Sequence, residues 1–445
     1  MAEKHTNIFG RFMKRVFQVE PNELKAVFLS FAFVFTLMAS YYILRPMRDA
    51  MASEWSDAEL STLFTVTFLL SFVAVALYGA ACSRIKIGRL VPGIYGLFAL
   101  SFFGFYLVIQ VSPGPPVVGK AFYVWISIFS LFHVSVFWSF MADVFNKEQA
   151  RRLFGFVASG SSIGALIGPL LALVLVGSVG KGNLLLISSV LVFVPMVIIA
   201  WLERLKHSDL HNEELNAEQD YQQTLGSNPL AGFMLFVKNP YLLGIGIFIL
   251  LYTAISTFVY FELKNLMTNL DESTRTQLWA GMDFAVNILT IGTAMFCTSR
   301  LATRFGLAVT LALVPVVIVA GLLVVAMAPL IWVVVGLQIV RRAGNYGITR
   351  PGREMLFTVV DRESRFKAKS VIDIVVYRGG DMITAWAFTG LTQGIGLGLG
   401  AVAFVGTLIA GVWAFVGYFL GRTYDQGQGE KSNHREHRGN VDPAG

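Results

Sequence analysis

"AVFLSFAFVFTLMASYYILRPMRDAM", residues 26–51, decides how the rest of the chain is read. Ala26 to Leu44 carry no charge, and a helix of about 20 apolar residues is what crosses the hydrocarbon core of a bilayer. The end of the stretch differs, because Arg45, Arg48 and Asp49 stand around Pro46. Comparable runs recur, giving twelve spans at 26–46, 59–81, 90–111, 121–143, 153–177, 183–202, 241–261, 277–297, 306–327, 329–347, 370–391 and 399–420. They lack the alternation of a barrel strand, and backbone in lipid must satisfy its own hydrogen bonds, so helices are expected. The reading is an all-α integral membrane protein of twelve transmembrane helices in two six-helix halves, 26–202 and 241–420. A composition of 55% hydrophobic and 14% charged residues, with a mean hydropathy of +0.64, is that of a membrane protein.

Lys and Arg collect in the loops on one side of these spans. Arg45, Arg48, Lys120, Lys181, Lys264 and Arg275 lie on the other side, Arg378 lies inside a span, and the rest share the side of the N-terminus. The positive-inside rule then places both termini in the cytoplasm of a multi-pass protein of the cell (inner) membrane. The net charge of +7 is a mark of that topology, and no nucleic-acid partner is expected. Within residues 1–25, Phe9, Phe12, Met13, Val16 and Phe17 recur at helical spacing, as in a helix lying on the membrane surface. The segment 203–240 is a polar, mostly acidic cytoplasmic linker, and the tail 421–445 is expected to be disordered. Cys82 and Cys297 end helices on the reducing side, so no disulfide is expected.

The halves repeat. Cys82-Ser83-Arg84 with Lys86, Gly88 and Arg89 follows helix 2, and Cys297 with Arg300, Arg304 and Gly306 follows helix 8. Asn146-Lys147-Glu148 after helix 4 corresponds to Asp361-Arg362-Glu363 after helix 10, and Gly164 to Gly379. Two parallel six-helix halves with basic loops at these places resemble the major facilitator architecture, which implies a central cavity and alternating access. Arg84 and Arg300 read as gating residues, with Asp143, Glu148, Asp361 and Glu363 as candidate partners. Gly160, Gly164 and Gly168 at four-residue spacing read as a close-packing face, and Gly155, Gly164, Gly168 and Pro169 resemble part of the facilitator exchanger motif.

Charges at membrane depth cost at least ~2.5–3.5 kcal/mol, so they normally face a cavity or a partner. The set is Arg45, Arg48 and Asp49; His133; Glu262; Asp283; Arg341 and Arg342; and Asp373, Arg378 and Asp381. Arg45 with Asp49 and Arg378 with Asp381 can pair along one helix face, which leaves arginine in excess and favours an anionic substrate. Arg341 and Arg342 also read as topology markers at the inner end of helix 10, and His133 as a core residue or a proton relay. Pro46 lacks an N–H and is expected to loosen the last turn of helix 1, so that Arg45, Arg48 and Asp49 can reorient at a cavity mouth. The sequence has no nucleophile elbow, metal-ligand spacing or phosphate loop, so neither an enzyme, a cofactor nor a metal is expected.

Three stretches resemble the non-mitochondrial ATP/ADP translocase family of nucleotide transport proteins. They are Tyr41 to Asp49; Phe137-Trp138-Ser139-Phe140 with Glu148 to Phe154; and Pro351-Gly352-Arg353-Glu354-Met355 with Asp361, Lys367, Lys369, Ile372, Asp373 and Arg378 beyond it. The resemblance implies that Arg48 and Arg353 stand where the family carries transport lysines. The family's helix 4 glutamate has no counterpart in Trp125-Ile126-Ser127, and Glu262 is the acid nearest its helix 7 position. The expected function is exchange of nucleotides or related phosphorylated anions by a monomer. The substrate is assigned to Arg45, Arg48, Arg353 and Arg378, and coupling to Asp49, Glu262, Asp283 and Asp381. Proton-coupled transport of another organic anion, through Asp283, Asp381 or His133, is the alternative, followed by a non-transporting membrane protein or a membrane enzyme.

Overall fold

Each apolar run becomes a helix, since only an internally bonded backbone is stable in lipid. The computed structural model describes residues 19–82, 84–111, 116–208, 210, 234, 236–296, 298–360 and 371–439. Its elements are α1 (Leu24–Ala52), α2 (Asp57–Cys82), α3 (Ile87–Val111), α4 (Pro116–Val144), α5 (Lys147–Ser208), α6 (Pro240–Leu266), α7 (Glu272–Phe296) and α8 (Thr298–Met327). They continue with α9 (Ile331–Gly344), α10 (Arg350–Leu356), α11 (Tyr377–Thr389) and α12 (Leu399–Gly439). Each predicted span falls mainly on helix among the described residues. The two spans of α5 are divided at Gly180 (φ 75°), and α8 is broken at Gly306 (φ 77°), backbone that a side chain would strain.

Polar side chains set the helix starts. Ser56 and Glu59 form a reciprocal capping box at α2, as do Asn146 and Gln149 at α5, and Asn239 accepts from the Tyr241 and Leu242 amides at α6. The exposed Asp271 carboxylate accepts from the Thr274 amide and hydroxyl ahead of α7, and those bonds hold it below the usual carboxylate range. After Gly306 the helix restarts with its cap supplied from a distance: Asp425 on α12 accepts from the amides of Leu307 and Ala308, both at 3.1 Å.

By their internal contacts the residues form two units. One holds 1–54, 66–225 and 270–284, and the other holds 55–65, 226–269 and 285–445. The first turns of α2 thus belong with the later half of the chain, and the first turns of α7 with the earlier half.

In the first unit α5 lies against α1 so closely that side chains would not fit. A Cβ on Gly160 would stand 2.6 Å from the Phe31 carbonyl oxygen, one on Gly168 2.6 Å from that of Ala39, and one on Gly164 closer still to that of Phe35. Phe33 of α1 packs edge-on against Tyr95 and Phe137, and Arg152 grips Glu23 through two hydrogen bonds of 3.1 and 2.7 Å. Lys206 pairs with Asp143 at 2.8 Å. In the second unit α12 packs on α8 through Gly417 and Gly421, and Trp413 is buried between Phe248 and Tyr252.

Four expectations are corrected. Helix 1 does not loosen at Pro46, because α1 continues to Ala52 and buries Asp49, Ala50, Met51 and Ala52. Arg341 and Arg342 do not mark a helix end. A π segment, Asn345–Thr349, carries helix 10 on into α10, and the two arginines are only 3% and 2% exposed. The helical part of the linker extends to Ser208. The tail is helical to Gly439 rather than disordered from 421, its first turn past Leu420 tied down by Asp425. Residues 1–18, most of 203–240, Cys297 and the Asp361 to Lys369 segment lie outside the described residues.

Candidate functional site

Helix 1 brings its charges into the first unit rather than to a loose end. The Nε of Arg45 lies 3.7 Å from Asp49, one turn on, and 3.9 Å from Asp283 of α7. Arg48 donates from Nε and Nη2 to one oxygen of Asp49 at 2.9 and 2.7 Å, and from Nη1 to Ser127 of α4 at 3.4 Å. Its guanidinium lies over the Tyr123 ring at 5.2 Å, a cation–π distance. Asp49 and Asp283 are 2% and 1% exposed. Two guanidinium groups and two carboxylates balance, so the arginine excess expected from the sequence does not arise in this cluster.

His133 of α4 belongs to the same unit. Its Nδ1 lies 3.2 and 3.1 Å from the carbonyls of Phe129 and Ser130, two acceptors, so Nδ1 carries the proton. The ring lies tilted against Tyr41, the centroids 4.5 Å apart. Backbone thus satisfies one nitrogen, as in a core histidine.

A further group of charges is in the second unit. Arg341 donates to the Gln338 side-chain oxygen at 3.1 and 2.8 Å and reaches the Tyr252 hydroxyl at 3.5 Å, which also accepts from Asn345 at 3.0 Å. Asp381 accepts from Thr257 at 3.4 Å, and Arg378 and Arg341 are the cations that act on it electrostatically. Asp381 is thus an acid that Arg341 and Arg378 share. Gln338, Tyr252 and Asn345 were not singled out in the sequence, where uncharged polar residues in an apolar run carry little signal. Both helices are wound as π turns beside these residues, at Asn345–Thr349 and Ile372–Val376, and such turns are frequent at functional sites.

Arg353 is not in that cluster. It lies on α10, about 18 Å along the helix from Arg341 at 1.5 Å per residue, and pairs with Glu354 at 2.9 Å.

Cations expected on the outer side have acidic partners. Lys181 pairs with Glu272 at 2.8 Å, Arg275 with Glu54, and Lys264 with Asp57 at 2.8 Å. Each of these pairs joins residues from the two sequence halves inside a single unit. Asp57 also accepts from Thr392 at 2.7 Å, and Lys264 donates to the Trp55 carbonyl at 2.6 Å. Glu262, two residues before Lys264 on α6, is 1% exposed, and neither of its oxygens has a hydrogen-bond donor among the described residues. By contrast Arg84 and Arg300 are exposed and form no ion pair with a described residue.

Comparison with known proteins follows the fold. The family described as the Major Facilitator Superfamily matches residues 27–360. Similar solved structures include the nucleoside transporter NupG, at 14% identity and a TM-score of 0.65, covering 90% of this chain and 99% of that one. Another is a bacterial homologue of the human lysosomal transporter Spinster, in an inward-facing and unoccupied conformation, at 13% identity and a TM-score of 0.59, covering 92% and 98%. Identities this low bear on the fold alone. No curated protein is significantly similar in sequence.

Proposed function

The chain belongs to the Major Facilitator Superfamily, a family of transporters rather than enzymes, and on that premise we propose that it is a secondary transporter exchanging nucleotides or related phosphorylated anions by alternating access. The observation that carries the substrate class is Arg341, buried at 3% exposure and hydrogen-bonded to the neutral Gln338 and Tyr252 side chains. A buried guanidinium short of counter-charge is costly, so an entering phosphate supplies what the protein withholds. Arg45, Arg48, Arg353 and Arg378 keep in this reading the substrate role that the sequence assigns to them. The pairs Lys264–Asp57, Arg275–Glu54 and Lys181–Glu272 latch the outer side, while Arg84 and Arg300 stand ready to latch the inner one. A monomer suffices for this cycle.

The test is counterflow. Vesicles preloaded with unlabelled nucleotide should accelerate entry of labelled nucleotide with no ion gradient imposed. Arg378→Lys should weaken binding about tenfold although the charge is kept, since the forked donor is lost. Alanine at position 378 with wild-type transport would remove Arg378 from the site.

One observation favours a second reading, proton-coupled uptake of another organic anion. Glu262, buried without a donor, is suited to carry a proton, as Asp283 and Asp381 are by position. An inward proton gradient driving uptake of an unphosphorylated acid, with no nucleotide counterflow, would establish it.

Orientation has its own check. A single cysteine at Asn216, outside the described residues, should stay unlabelled by an impermeant reagent added outside cells. Strong outside labelling would invert the assigned topology.

A further inference from the structure

At the end of the first unit where α1 begins and α5 finishes, Lys25 and Leu29 of α1 and Trp201, Arg204 and Leu205 of α5 line an open groove of about 420 Å³. Lys25, Trp201 and Arg204 are exposed. Of the acids nearby, Glu23 holds Arg152 and Asp143 holds Lys206. Lys25 and Arg204 make no ion pair with a described residue. The groove therefore presents two cations, an indole and two leucines at the depth where a membrane helix leaves the hydrocarbon.

Each part matches one part of a phospholipid. Tryptophan settles at the headgroup level, and Lys and Arg lay their stems on apolar surface while their heads reach the phosphates. Leu29 and Leu205 give an acyl chain an apolar wall. We propose that this groove is a binding site for a phospholipid with an anionic headgroup, its phosphate held by Lys25 and Arg204. A zwitterionic lipid brings its own cation to the same place and is disfavoured there by charge.

Native mass spectrometry and thermal unfolding of the purified full chain test this, with phosphatidylglycerol and phosphatidylcholine of identical acyl chains and with soluble glycerol phosphate. Phosphatidylglycerol should bind and raise the midpoint, and phosphatidylcholine should do neither. The double variant Lys25→Ala, Arg204→Ala should lose about thirtyfold in affinity for phosphatidylglycerol, two interfacial cations being removed. The charge-keeping double variant Lys25→Arg, Arg204→Lys should retain binding, which separates lost recognition from a damaged fold. Equal binding of both lipids, unchanged binding by the alanine variant, or lost binding by the charge-keeping one would overturn the proposal. Stabilisation by glycerol phosphate alone, equal to that by the lipid, would make it a soluble-anion site and overturn it as well.

Discussion

Gly164→Val is expected to leave little folded protein, while Gly155→Ala should be nearly silent. Gly160, Gly164 and Gly168 occupy successive turns of α5, and each faces a backbone carbonyl of α1, at Phe31, Phe35 and Ala39. The neighbour at each contact is main chain, which cannot rotate away as a side chain can. Relief requires the two helices to separate along their shared length, which forfeits dispersion contacts with no hydrophobic gain to replace them in lipid. Overpacking typically costs roughly 1–3 kcal/mol, and a clash with backbone in the middle of three such contacts belongs at or above the top of that range. Gly155, on the same helix, has nothing within 4 Å of an added Cβ. Thermal unfolding of the purified variants reads the difference directly. A Gly164→Val protein with the wild-type midpoint would mean that α1 and α5 are not in this contact in the membrane.

Lys264→Met should cost about 3–5 kcal/mol, because it strands Asp57 as a buried carboxylate. The pair is enclosed, Lys264 at 1% and Asp57 at 5% exposure, and the lysine also binds the Trp55 carbonyl at the turn leading into α2. Adding Asp57→Asn should recover much of the loss, since the amide still accepts from Thr392 without a charge to desolvate. The double-mutant cycle on unfolding free energy gives the coupling. Equal losses for the single and the double variant would show that the ion pair contributes nothing beyond the separate side chains. In the transport reading the single variant should also shift the conformational equilibrium, visible as a changed distance between labels on outer loops.

Much of the fold could be read from the sequence because span length is a strong physical constraint. The ends of spans were harder. At Pro46 and at Arg341-Arg342 the chain offers the usual signs of a helix terminus, yet both helices run on, since charges in a protein interior can pair with neighbours instead of reaching water. A π turn such as Asn345–Thr349 shifts one hydrogen bond and leaves no compositional trace. The site was legible where partners are local. Arg45 and Asp49, four residues apart, do meet, but the partnership of Arg45 with Asp283 and that of Lys264 with Asp57 depend on tertiary structure that no spacing encodes.

Residues 270–284 complete the first unit although they are made after the linker. A ribosome feeding this chain to the membrane has therefore delivered α1 long before Asp283 exists. During that interval Arg45 must enter the bilayer without its long-range partner. Asp49, one turn away on the same helix and also bound by Arg48, is already synthesised and offsets one of the two arginine charges as they insert. The local pair thus serves biosynthesis first, escorting a cation through insertion, and only later shares that cation with the acid of α7.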